Sequence, residues 1–103
     1  MPITRAPHPK IDDIALVSVL AAMGDPIRLS IVRTLSAIGG EQAWSKFDLP
    51  IAQSTLSHHL KVLRTAGVIQ NRQEGTRCFV SLRKKELNQR FPGLLASVLR
   101  ASR

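Results

Sequence analysis

Gln53-Ser54-Thr55-Leu56-Ser57-His58-His59-Leu60-Lys61-Val62-Leu63-Arg64-Thr65-Ala66-Gly67 is the stretch on which the reading turns. Leu56, Leu60 and Leu63 recur at helical spacing as one apolar stripe, and Gly67 supplies a C-terminal stop. The opposite face carries Ser54, Ser57, His58, Lys61 and Thr65, with no large apolar residue. A merely solvated helix face is usually rich in both Glu and Lys, yet no acidic residue occurs between Gln53 and Gln73. Base edges in a major groove are read by short hydrogen-bonding side chains near a helix N-terminus, and Gln53, Ser54, Thr55, Ser57 and His58 meet that need. Thr55 lies on the flank, where capping or packing would serve equally. Lys61 and Arg64 would bind phosphate, although Arg64 sits toward the far end and has room to pair elsewhere.

Downstream, Val68-Ile69 and Cys78-Phe79-Val80 flank a polar segment that contains Gly75, the pattern of a β-hairpin. Arg72 and Arg77, with Thr76 between them and Arg83, Lys84 and Lys85 beyond, face only Glu74 before Glu86. A basic hairpin of this kind suits phosphate or minor-groove contact, though a basic loop in a basic protein looks the same. From Lys84 to Arg100, Leu87, Phe91, Leu94, Leu95 and Val98 keep helical spacing, and Pro92 predicts a break.

Upstream, residues 41–51 predict a short helix that buries Trp44 and Phe47 and ends at Pro50. Gly24-Asp25-Pro26 reads as a helix end, an N-cap and a first helical position. The helix it opens carries Ile27, Ile31, Leu35 and Ile38 on one stripe, with Arg28 and Arg33 off it, and Gly39-Gly40 stops it. Ile11 to Met23 reads as one helix, apolar almost all round. Ile14, Val17, Leu20 and Ala21 form one stripe, and Leu16, Val19 and Met23 form another. Such a helix must be covered twice, by its own domain and by a second subunit. Residues 1–10, with three prolines, read as a flexible arm, leaving 11–103 as a single domain. Two helices, a linker, a polar-faced helix and a hairpin predict a mainly α fold with a two-stranded β-wing, a winged helix-turn-helix.

Composition narrows the partner. Fifteen Lys and Arg against seven Asp and Glu give a net charge of +8, which favours a polyanion: nucleic acid first, an anionic membrane surface second. A single Trp, three Phe and no Tyr leave little platform for stacking unpaired bases, so double-stranded DNA is the expected partner. No apolar run is long enough to span a membrane, and residues 14–23 lack the flanks of a secretory signal. One cysteine, Cys78, forms no intrachain disulfide, so the cytoplasm is the default compartment. No Gly-rich phosphate loop or Ser/His/Asp constellation is present, and Asp12-Asp13 reads as helix-start chemistry, so no enzymatic activity is expected.

Met23-Gly24-Asp25-Pro26-Ile27-Arg28-Leu29 resembles the opening motif of the ArsR-type winged-helix repressors. The run from Ser54 to Ile69 resembles that family's recognition helix almost throughout, and Gln73-Glu74-Gly75-Thr76-Arg77 resembles its wing. The resemblance implies a homodimeric repressor on an imperfect inverted repeat in its own promoter region, released by an inducer that is often a metal ion. It also implies a dimer interface from the first and last helices, here Ile14, Val17 and Leu20 with Phe91, Leu94, Leu95 and Val98.

The departures from the family bear on the inducer. Metal-sensing members carry Cys-x-Cys before the recognition helix, where this chain has Trp44-Ser45-Lys46-Phe47-Asp48; the last helix offers Glu86 but no His or Cys. The remaining donors, His8, His58, His59 and Cys78, fall on the arm, the recognition helix and the wing, which does not suit a tetrahedral site. No metal or cofactor is expected, and the inducer stays unspecified. Ala52 replaces a capping Ser, so the cap is expected to move to Gln53 or Ser54. Cys78 reads as a small buried hydrophobe or, with Arg77 lowering its pKa, as one half of an intersubunit redox pair. His59 flanks the leucine stripe and is expected to be semi-buried. Two other functions fit the same residues: a redox or ligand sensor using Cys78 or a dimer pocket, and a basic module that docks an acidic protein.

Overall fold

The computed structural model describes residues 8–102. Five helices and one small sheet follow in the order α1 (Leu16–Met23), α2 (Pro26–Ile38), β1 (Gln42–Ala43), α3 (Gln53–Ala66), β2 (Ile69–Glu74), β3 (Arg77–Leu82), α4 (Lys84–Arg90) and α5 (Leu94–Ala101). This is the winged helix-turn-helix order, with α3 in the recognition position and β2–β3 as the wing. Residues 1–7 of the expected arm lie outside the described residues. His8 and Pro9 are tethered to the wing root: the Asn71 backbone N–H donates to His8 Nε2 at 2.9 Å, and Arg83 Nη1 donates to the Pro9 carbonyl at 2.8 Å.

The expected helix over Ile11–Met23 is split. Ile11–Asp13 form a 3-10 turn, Ile14 and Ala15 are extended, and α1 starts only at Leu16. The break turns Ile14 inward until it is 1% exposed. There it covers Gly67, where a β-carbon would meet Ile14 Cγ1 at 2.7 Å. Gly67 is therefore required for close packing as well as for its left-handed φ of 88° at the end of α3.

Helix α2 starts as the sequence indicates. The Asp25 carboxylate accepts from the Ile27 and Arg28 backbone N–H groups at 2.9 and 3.1 Å, with Pro26 in the first turn. Residues 41–51 depart from expectation. They hold only a 3-10 turn, Trp44–Lys46, preceded by β1, which pairs Gln42 with Val80 and Ala43 with Phe79. The sheet thus has three antiparallel strands in the order β1-β3-β2 instead of two. Backbone pairing along β3 prevails over the helical reading, and Trp44 and Phe47 still pack half-buried against the core. In the wing, Glu74 pairs with Arg77 across a two-residue turn in which Gly75 takes the positive φ of 61°. At the other end, α4 stops at Arg90 and Gly93 opens α5, so the break predicted at Pro92 is present.

The core sits between α1, α2, α3 and the sheet. Leu56, Leu60 and Leu63 are buried on α3, in one core cluster with Ile31 and Leu35 of α2 and Val80 of β3. Leu95 from α5 is 3% exposed within the same protomer. Neither Leu95 nor Ile14 is a surface residue, which corrects their assignment to a subunit interface.

Candidate nucleic-acid interface

The outer face of α3 is built by subtraction. Once the leucine stripe is buried, Gln53, Ser54, Thr55, His58, Lys61 and Thr65 are left exposed and Ser57 half-buried. The helix has Ala52 as N-cap and no side-chain cap, so the cap expected from Gln53 or Ser54 does not form. Without it, the first-turn N–H groups and the positive end of the helix dipole open toward the face that carries Gln53 and Ser54. An open cleft of about 680 Å³ separates this turn from the wing. Gln53, Ser54 and Ser57 line one wall, Thr76, Arg77 and Cys78 the other, with Ala43, Trp44 and Ser45 between them.

The cations divide into those held by the protein and those presented to solvent. Lys61 on α3 and Arg77 at the wing are exposed and form no ion pair among the described residues. Arg77 lies 5.1 Å from the Phe79 ring centre, which steadies its stem. Thr76 is exposed at the wing tip. Arg72 is differently placed. Its Nε and Nη2 donate to both Glu41 oxygens at 2.8 and 2.9 Å, and Nη1 donates to Glu74 at 3.2 Å. It also lies 4.7 Å from Phe79. Glu41 holds the Arg72 guanidinium more strongly protonated, and the same bond keeps the Glu41 carboxyl below its usual range. Arg72 thus struts the β1 approach against the wing, so the guanidinium expected to bind phosphate is already engaged by two carboxylates.

Arg64 is buried at 3% exposure, which corrects its reading as a phosphate ligand. Burial lowers its pKa. Arg83 is also buried, in an ion pair with Glu86 at 2.7 Å. Cys78 is half-buried, and burial pushes its thiol above the ordinary value, with Arg64 opposing that rise in part. The expectation that Arg77 would lower it is not met, because desolvation outweighs the nearby charge.

His58 and His59 separate as the face analysis implies. His58 is exposed, whereas the His59 side chain is 12% exposed and its Nδ1 lies 3.1 Å from Arg28 Nη1. Among the described residues no three His, Cys, Asp or Glu side chains gather as a metal-binding group. None of the described helices is long and apolar enough to cross a membrane.

This arrangement has relatives. Residues 25–71, from the α2 N-cap into β2, match the model of the bacterial regulatory protein, arsR family. The uncharacterized HTH-type transcriptional regulator YceK of Bacillus subtilis is 33% identical over 89 residues, which is 84% of this chain and 89% of that protein. The chain belongs to the ArsR family. A second HTH-type transcriptional regulator, from Methanocaldococcus jannaschii, is 41% identical over 59 residues, covering 56% of this chain and 66% of its own length. The ArsR-family chain is therefore a DNA-binding transcription regulator.

Three long-range contacts around this face escaped the sequence reading. Glu41 clasping Arg72, Arg28 meeting His59, and His8 with Pro9 tethering to the wing root all join residues more than 30 positions apart. Local periodicity carries no signal for such pairs.

Proposed function

We propose that the protein is a homodimeric repressor that binds an inverted-repeat operator in double-stranded DNA, including its own promoter region, in the cytoplasm. The observation that carries this reading is the acid-free outer face of α3 facing the exposed Arg77 and Thr76 across an open cleft. In the proposed complex, Gln53, Ser54, Thr55, Ser57 and His58 meet base edges in the major groove. Lys61, Arg77, Thr76 and the uncapped α3 N-terminus meet phosphate. Arg72 braces the wing.

The dimer seam is assigned to α1 with α5. Leu16, Val17 and Leu20 on α1 are 43%, 77% and 46% exposed, a costly display of large apolar side chains in water. Phe91, Leu94 and Val98 are half-buried at the opposite end of the chain. In the proposed dimer, a two-fold axis through this seam would set the two α3 helices about one DNA turn, or a multiple of it, apart. Selection from a pool of random duplexes tests the reading. Recovery of an inverted repeat with half-sites about one helical turn, or a multiple, apart is the expected result. Recovery of no shared sequence contradicts it.

A further inference from the structure

We propose that Arg28 is a positioning residue for DNA reading, because its guanidinium ties the end of α1 and the start of α2 to His59 on the recognition helix. The inference rests on the DNA-binding reading above and adds to it the element that sets the angle of α3. Arg28 Nε donates to the Ala22 carbonyl at 2.6 Å. That carbonyl lies in the last turn of α1, where no helical partner is available for it. Arg28 Nη1 lies 3.1 Å from His59 Nδ1. A guanidinium has only donors, so in this contact Arg28 donates and Nδ1 accepts. Asp25, which caps α2 through the Arg28 and Ile27 backbone N–H groups, stands 3.8 Å from the same Nδ1.

One side chain thus joins three helices with different tasks. Helix α1 carries the exposed apolar face, α2 opens the helix-turn-helix, and α3 carries the polar face. His59 neighbours the exposed His58, whose ring centre is 5.7 Å away. Reading base edges requires the helix to be held within about 0.5 Å of its productive position. The planar fork of Arg28 reaches Ala22 and His59 in two directions at once, whereas a lysine is a single point donor.

The test measures affinity for the selected duplex and for a scrambled one. Arg28→Lys keeps the charge, so it is expected to lose roughly tenfold on the selected duplex with no change on the scrambled one. His59→Leu removes the acceptor and is expected to lose about as much, whereas His59→Asn places Oδ1 where Nδ1 stood and is expected to bind as wild type. The two His59 variants also keep the test decisive if Arg28→Lys fails to fold. Arg28→Lys or His59→Leu binding the selected duplex as wild type does, or His59→Asn failing to restore what His59→Leu loses, overturns the inference. A wild-type protein that prefers no duplex overturns the DNA reading itself.

Discussion

Helices α1 and α3 pack against each other yet show solvent opposite surfaces. The outer side of α1 exposes Leu16, Val17 and Leu20 with no charge at all. The outer side of α3 exposes Gln53, Ser54, Thr55, His58 and Lys61 with no large apolar group. An apolar face gains by excluding water against another apolar face, while a polar, cationic face gains by exchanging counterions and donors with a polyanion. Neighbouring helices in one small domain thus suit two different partners, and the proposal above assigns a second copy to α1 and duplex DNA to α3.

Substitutions can break this contrast, starting with the largest effect. Leu95→Ala, in the core, should cost about 3 kcal/mol of folding stability in a denaturant melt. Val17→Glu, at a position 77% exposed within one protomer, should leave the protomer folded yet yield monomers in sedimentation and weaken operator binding about a hundredfold. Should Val17→Glu remain dimeric, the α1 seam is misplaced. Gln53→Ala and Ser54→Ala should each lose about tenfold on the operator by anisotropy and relax the preference at one base pair, leaving scrambled DNA unaffected. Arg77→Gln should weaken binding to every duplex several-fold and lower the salt slope by about one per wing, with Arg72→Gln changing that slope less. A wing in which Arg72 dominates the slope would reverse the assignment of the two arginines.

The smallest effect concerns the wing root. Burial first, then Arg64 and Arg83, lowers the His8 pKa, and the Arg83 bond holds Glu86 below the usual carboxylate range. Both folded-state values lie below their unfolded ones. Each group therefore stabilises the fold fully above its unfolded pKa and loses that contribution as pH falls through the folded value. Stability measured against pH should decline first over the histidine range and again at more acid pH. His8→Ala should remove the first step alone.

Much of the fold was legible because it follows from local patterns. The leucine stripe, the Asp25 cap, the Gly67 stop, the Gly75 turn and the Pro92 break each depend on neighbours a few residues away. The polar face of α3 was legible for the same reason, since it is what remains after the stripe is buried. Illegible features depend on distant partners. Nothing near Arg64 in sequence shows that it is buried, and nothing near Arg72 announces Glu41. Strand β1 is two residues long, too short for an alternation, and exists only because β3 offers it an edge. Ile14 looked like part of the apolar helix because its packing partner, Gly67, lies 53 positions later.

The central claim is sequence-specific duplex recognition by the α3 face and wing. Fluorescence anisotropy tests it most directly, comparing DNA from upstream of the protein's own gene with a scrambled duplex across a salt series. The account predicts a large preference for the upstream fragment that persists at physiological salt. Equal binding to both duplexes, collapsing together as salt rises, would reduce the interaction to counterion release and contradict the claim.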